Sequence, residues 1–340
     1  MSAVLSVENL SVAFGPARPV AGVSFKVNPR ETLAIVGESG SGKSLTALAM
    51  MGLLPGNAKT SGAIRIATPA GPADMLSLPE KQRRRLRGSE VAMVFQEPMT
   101  SLNPVHTIGH QIGEVLIAHE NLGKAARRAR VIELLNLVRI PDAERRIDDY
   151  PHQLSGGMRQ RVMIAIAVAC RPRILIADEA TTALDVTIQA QILQLLDQLR
   201  RELDMAVVLI THDLGIVSQW ADRVVVMYAG HHVEEGPPDT VFAQPAHPYT
   251  SGLLAASPRL HGKQTYRDAA LTEIPGSITS AKGERGCPFR PRCQRAAPIC
   301  AEAIPASTVE PGDRRVACHF PGPALAPPAQ SEPAHVPSFA

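Results

Sequence analysis

The chain has 340 residues, a net charge of +3, 45% hydrophobic and 20% charged residues. This composition can bury a core and excludes disorder throughout, while the slight basic excess argues against a dedicated nucleic-acid binder. The longest apolar run, the nine residues Val162 to Cys170 fenced by Arg161 and Arg171, is far short of the ~20 residues that cross a bilayer.

Met1 to Leu10 has no basic segment followed by a long apolar stretch, so a cytosolic, reducing setting is expected. Val4, Leu5, Val7, Leu10, Val12 and Phe14, then Val20 and Val23 to Val27, predict a small antiparallel β subdomain. Thr32 to Val36 reads as a buried strand, followed by a glycine-rich turn and a helix over Leu45 to Leu54. The basic run Lys81 to Arg87 reads as a solvated helix face. Val91 to Phe95 is a second buried strand, and helical patterns fill residues 97–170, ending on an apolar helix from Val162 to Ala169. Cys170 beside it reads as a core filler.

Ile174 to Ala177, Val207 to Ile210 and Val224 to Tyr228 complete the set of buried strands. Between two of them, Ile188, Ile192, Leu195, Leu196, Leu199 and Leu203 recur at helical spacing, the mark of a crossover that joins parallel strands. The body is therefore α/β. His231-His232, beside Glu234 and Glu235, falls on a predicted hairpin and reads as structural. After Ala246 the texture changes: Pro248, Pro258, Pro275, Pro288, Pro291 and Pro298 interrupt any long helix and cysteines accumulate, so a boundary is set there. Three units are expected: 1–245, 246–320, and a Pro- and Ala-rich disordered tail, 321–340.

Gly37-Glu38-Ser39-Gly40-Ser41-Gly42-Lys43-Ser44 has the G-x-x-x-x-G-K-[ST] form of a P-loop in its required setting, after a strand and before the helix that Leu45 continues. Glycines let backbone N–H groups and the helix N-terminus face phosphate, Lys43 meets the outer phosphates, and the Ser44 hydroxyl would ligate Mg²⁺. Asp178 and Glu179 follow the apolar run Ile174 to Ala177, at the strand end where ligands of α/β sheets collect. Asp178 is expected in the metal shell, and Glu179 is placed to polarise the water that attacks the γ-phosphate.

Leu154-Ser155-Gly156-Gly157-Met158-Arg159-Gln160-Arg161 resembles the signature of the ATP-binding cassette (ABC) family. Its serine and glycine amides open a second anion-binding helix end. The resemblance implies an ABC ATPase with a RecA-like core, a helical signature subdomain, and head-to-tail pairing in which one subunit's signature closes on nucleotide held by the other. It further implies that Gln96 contacts the metal or attacking water, that Ala183-Leu184-Asp185 is the D-loop, that His212 is the switch histidine, and that Phe14 stacks on adenine. Val94 to Pro104, Thr181 to Thr187 and His247-Pro248-Tyr249-Thr250 are similar to ATPases of the dipeptide/oligopeptide/nickel importer group. That likeness implies a peripheral subunit on the cytoplasmic face of the cell membrane. Its partners would be two permeases, a second and related ATPase subunit, and a solute-binding protein. Ala180 stands where the group usually has proline and relaxes the turn toward the D-loop. A soluble ABC protein acting on ribosomes or DNA would carry two cassettes or a long coiled coil, and a decayed cassette would lack some of Lys43, Gln96, Asp178, Glu179 and His212.

Cys287, Cys293, Cys300 and Cys318 give C-x₅-C-x₆-C-x₁₇-C in a core-poor segment, where a metal can replace missing hydrophobic burial. Zinc accepts Cys₄ but usually through C-x₂₋₄-C knuckles, and [4Fe–4S] tolerates wider spacing. A cluster, zinc and metal-free thiols remain open on spacing; the importer-group likeness favours the cluster.

Overall fold

The computed structural model describes residues 3–95, 101–180, 185–257, 273–281 and 285–322. Gln96, Ala183, Leu184 and the tail beyond residue 322 lie outside them.

Two sheets organise the molecule. A four-stranded antiparallel sheet, in the order β2 (Ala17–Val27), β1 (Leu5–Phe14), β4 (Lys59–Thr68), β5 (Gly71–Asp74), forms the expected N-terminal subdomain. An eight-stranded sheet holds the rest: β3 (Thr32–Val36), β6 (Val91–Val94), β7 (Ile174–Asp178), β8 (Ala206–Ile210), β9 (Arg223–Tyr228), β10 (His231–Gly236), β11 (Thr308–Glu310) and β12 (Arg314–Val316), ordered β11-β12-β10-β9-β3-β8-β7-β6. The stretch from β9 through β3, β8 and β7 to β6 is parallel, as crossover connections require. Phe95 was expected to continue β6, but the ladder with β7 ends at Val94 opposite Ala177, and the ring of Phe95 is exposed.

Because side chains alternate along a strand, each parallel strand feeds two cores. Leu33, Ile35, Ile174, Ile176, Val208 and Ile210 face a core shared with the antiparallel sheet and with Ala47 and Met50 of the helix Lys43–Met50. Leu175, Ala177, Val207 and Leu209 face the opposite side, where the helices Ile108–His119, Lys124–Leu137, Gly156–Val168 and Val186–Glu202 pack. Burial on both faces is why these strands read as unbroken apolar runs. The helix after the P-loop stops earlier than expected, at Met50, because Gly52 takes φ +62 and the Arg87 guanidinium donates to Met51 O (2.8 Å) and Gly52 O (2.7 Å). The rest of the basic run, on the helix Glu80–Leu86, has no buried residue.

The segment after Ala246 is tied into the main body. β12 pairs with β10, and Tyr249, Phe289, Cys287 and Cys300 share a core with Val224, Val226 and Tyr228 of β9. The join is made by the buried Glu234, whose carboxylate accepts from Ala246 N–H and His247 N–H, both at 2.9 Å. His232 has structural partners, as expected: it is largely buried, its Nδ1 lies 3.0 Å from Ser24 O, and its Nε2 is 3.5 Å from Glu235.

Candidate active site

The P-loop turns between β3 and the helix Lys43–Met50 in a form that only glycine accepts. Gly37 has φ +151, and a Cβ on it would lie 2.1 Å from Met227 O; Gly42 has φ +99, and a Cβ there would lie 2.4 Å from Pro19 O. Inside the turn the buried Lys43 ammonium donates to Gly37 O (2.8 Å) and Glu38 O (3.0 Å). Burial lowers its pKa, against the pull of Glu179, Asp178 and Glu38. Lys43 is thus held by backbone carbonyls that anionic phosphate oxygens can replace.

Ser44 and Asp178 come from elements far apart in sequence and meet directly: Ser44 Oγ donates to Asp178 Oδ1 at 3.3 Å. Burial raises the Asp178 pKa, the Ser44 hydrogen bond opposes that rise, and the Glu179 charge adds to it. A hydroxyl and a buried carboxylate with an unfavourable charge suit a hard divalent cation, which would favour the ionised form. Next along the chain, Glu179 adopts φ +46, a left-handed conformation that costs a residue with a Cβ roughly 1–2 kcal/mol. Its N–H donates to Ile210 O at 3.0 Å, and its carboxylate Oε1 lies 3.6 Å from Nδ1 of the exposed His212. The turn therefore brings acid and histidine together from adjacent strand ends.

The signature begins a helix as expected. Ser155 is the N-cap of Gly156–Val168, its Oγ accepting from Met158 N–H at 3.4 Å, and Leu154 is buried as an anchor. Ser155 and Gly156 are exposed, whereas a Cβ on Gly157 would lie 2.8 Å from Ile188 Cγ2 of the crossover helix. This helix and the one carrying Lys43 pack on opposite faces of the parallel sheet, so the two anion-binding ends of one chain do not converge on one core. Asp185 caps the helix Val186–Glu202, accepting from Ile188 N–H at 2.9 Å. Phe14 ends β1 across from Ala17 and packs in part against the core that holds the P-loop helix.

A scan for known families matches residues 20–182 to the ABC transporter family and residues 233–300 to the oligopeptide/dipeptide transporter C-terminal region. The chain belongs to the ABC transporter family. It is 49% identical over 325 residues to the dipeptide transport ATP-binding protein DppD of Bacillus subtilis, covering 94% of this chain and 95% of the relative. It is 48% identical over 324 residues to the oligopeptide transport ATP-binding protein OppD of Escherichia coli, covering 94% of each. Among solved structures, the ABC cassette MJ0796, a dimer in a post-hydrolysis state bound to ADP and Pi, superposes with a TM-score of 0.60 at 28% identity, covering 69% of this chain and 98% of that one.

In this ABC ATPase the second region of interest is the cysteine segment. Cys287, Cys293, Cys300 and Cys318 line one pocket together with His247, Phe289 and His319. Burial pushes the Cys287 thiol up to about 11, and the other three cysteines push in the same direction. Among the described residues no group of three or more His, Cys, Asp or Glu side chains is set to hold a single metal ion.

Three residues of this site escaped the sequence reading. Tyr249 accepts the Glu38 N–H at 2.8 Å, Arg292 pairs with the Glu38 carboxylate at 3.0 Å, and Tyr228 lies beside both. The His247-to-Thr250 motif marked the importer group, but nothing in its residue types indicated that it reaches a loop more than 200 positions earlier. Cys170 behaves as expected, packing against the helical core with its thiol raised by burial to about 11.

Proposed function

We propose that this chain is the ATP-hydrolysing subunit of a peptide importer of the ABC type, coupling nucleotide-driven cassette pairing to uptake of dipeptides or oligopeptides. The observation that carries this reading is the meeting of Lys43, Ser44, Asp178, Glu179 and His212 at the ends of neighbouring parallel strands, in a chain about half identical to DppD and OppD across nearly its whole length. The P-loop amides of residues 37 to 45 and Lys43 seat the phosphates, and Phe14 supports the adenine. Ser44 and Asp178, joined by Gln96, hold Mg²⁺, which when bound screens the phosphate charge. Glu179 orients and deprotonates the attacking water, and His212 holds the γ-phosphate end of the site.

Ser155, Gly156 and Gly157, flanked by Leu154 and Met158, act on the nucleotide of the opposing cassette, a related subunit, and Asp185 belongs to the loop at that interface. Two permeases and a solute-binding protein complete the assembly. This subunit sits peripherally on the cytoplasmic face of the membrane; no helix among the described residues is long and apolar enough to cross it. Glu179→Gln tests the chemistry: turnover is expected to fall by about 10²–10⁴-fold with ATP still bound. Unchanged turnover would remove Glu179 from its role.

For the cysteine pocket we propose an iron–sulfur cluster rather than zinc. Four thiols line one pocket, and zinc usually takes its cysteines from more closely spaced pairs than these. A cluster spreads its four ligands over several irons. Cys287, Cys293, Cys300 and Cys318 would hold it, and when bound it would tie together a segment poor in apolar residues. Anaerobically purified protein is expected to contain iron and acid-labile sulfide in equal amounts, and loss of both in Cys287→Ser checks the ligand set.

A further inference from the structure

The P-loop carries a carboxylate of its own, and that is a physical problem. Glu38 lies within the turn that receives phosphate, its backbone carbonyl 3.0 Å from Lys43 Nζ, and its side-chain Oε1 is buried with no hydrogen-bond partner. An ionised carboxylate there repels the phosphates that Lys43 attracts, and at low local dielectric the repulsion is strong. The other oxygen, Oε2, is met at 3.0 Å by Nη1 of Arg292, whose side chain is only 4% exposed. Arg292 is itself locked in place: Nε donates to Pro275 O at 2.7 Å, Nη2 to Ile274 O at 3.2 Å, and Nη1 to Tyr228 Oη at 3.4 Å. Its guanidinium carbon also lies 5.7 Å from the centre of the Tyr228 ring. The backbone of Glu38 is fixed from the same side, its N–H donating to Tyr249 Oη.

We propose that Arg292, assisted by Tyr249, is a positioning residue for nucleotide binding: it neutralises Glu38 and holds that carboxylate away from the phosphate site. The cysteine segment thereby completes the P-loop. Arg292 immediately precedes Cys293, and Phe289, which lines the cysteine pocket, packs edge-on against Tyr228 at 5.1 Å between ring centres. A buried, charge-assisted pair spanning 254 positions is a poor device for stability alone, since desolvation offsets much of its attraction. Its value lies in where it puts the charge. The inference rests on the reading of residues 37 to 45 as the nucleotide's phosphate site.

The test is Mg-ATP affinity of the full chain, measured with a fluorescent ATP analogue and competition by ATP. Arg292→Ala is expected to weaken binding about tenfold and to raise the KM of the ATPase with little change in kcat. Arg292→Gln, which keeps amide donors for Ile274 O and Pro275 O, is expected to do the same, separating charge from folding. The decisive variant is Arg292→Ala with Glu38→Gln: removing the carboxylate should restore affinity to within about threefold of the parent. A structural brace alone would give the double variant the same or a larger defect, and that result overturns the proposal, as does an unchanged affinity in Arg292→Gln. Lys43→Ala is the control. If it retains nucleotide, the phosphate-site reading fails; if it loses nucleotide while both Arg292 variants bind normally, only the role of Arg292 fails.

Discussion

At the scale of single residues, the conformation of Glu179 and the burial of His247 are two points at which backbone and chemistry depart from ordinary values. The acidic pair at the end of β7 was legible from four apolar residues and two carboxylates, but the left-handed φ of Glu179 was not, since nothing in a Glu codes for it. The surrounding ladder imposes it: Asp178 still pairs with Ile210, and Glu179 N–H donates back to Ile210 O. His247 is the opposite case, a titratable group put to structural use. It caps the helix Pro248–Ala255 through Nδ1, which accepts from Tyr249 N–H at 3.0 Å, and burial, with help from the Arg295 charge, lowers its pKa to about 3. The unfolded chain protonates this histidine below about 6.5 while the folded one does not, so folded stability is lost as pH falls from 6.5 toward 3. The loss attributable to His247 is at most about 1.4 kcal/mol per pH unit across that window. His247→Asn, which preserves the cap acceptor without a titrating group, is expected to show a shallower fall in urea-unfolding free energy between pH 6.5 and 5.

At the scale of elements, the parallel strands were legible almost to the residue because each must be apolar on both faces, whereas helix ends were not. The Lys43–Met50 helix is terminated by Gly52 and by the side chain of Arg87, and that cap belongs to tertiary structure. Likewise β11 and β12 are three-residue strands with little in their sequence to announce them: β12 adds to the edge of β10, and β11 to the edge of β12. The site followed the same division. The local turns from Gly37 to Leu45 and from Leu154 to Met158 were legible from motif spacing and from the family likeness, but Tyr249 and Arg292 reach Glu38 only through the fold. Asp185 illustrates how one residue serves two scales. The family likeness gives it an interface role, and the structure gives it the N-cap of the helix Val186–Glu202. Asp185→Ala is therefore expected to cost the isolated subunit about 1 kcal/mol of stability, seen as a lower urea midpoint, even where no second cassette is present.

At the scale of the whole molecule, the sheet separates the P-loop helix from the signature helix. The helix bearing Lys43 packs with Ile35, Ile176 and Val208 on one face, and the signature helix packs with Leu175, Ala177 and Leu209 on the other. The N-terminus of the signature helix is exposed at Ser155 and Gly156. Such an end favours an anion, and under the proposed function that anion is the nucleotide of the opposing cassette. Arresting hydrolysis with Glu179→Gln should then let Mg-ATP hold two cassettes together, and light scattering should show a shift from one cassette to a pair when this chain is mixed with the related subunit proposed as its partner. Adding Ser155→Arg to this chain places a long cation at the exposed cap, where it obstructs a closing partner without touching the P-loop on the far face. Pairing is expected to weaken by at least tenfold in nucleotide or protein concentration, while the affinity of this chain alone for ATP stays within about twofold. If ATP affinity fell together with pairing, the signature would be acting on this chain's own nucleotide, and the separation imposed by the sheet would not be what makes two subunits necessary.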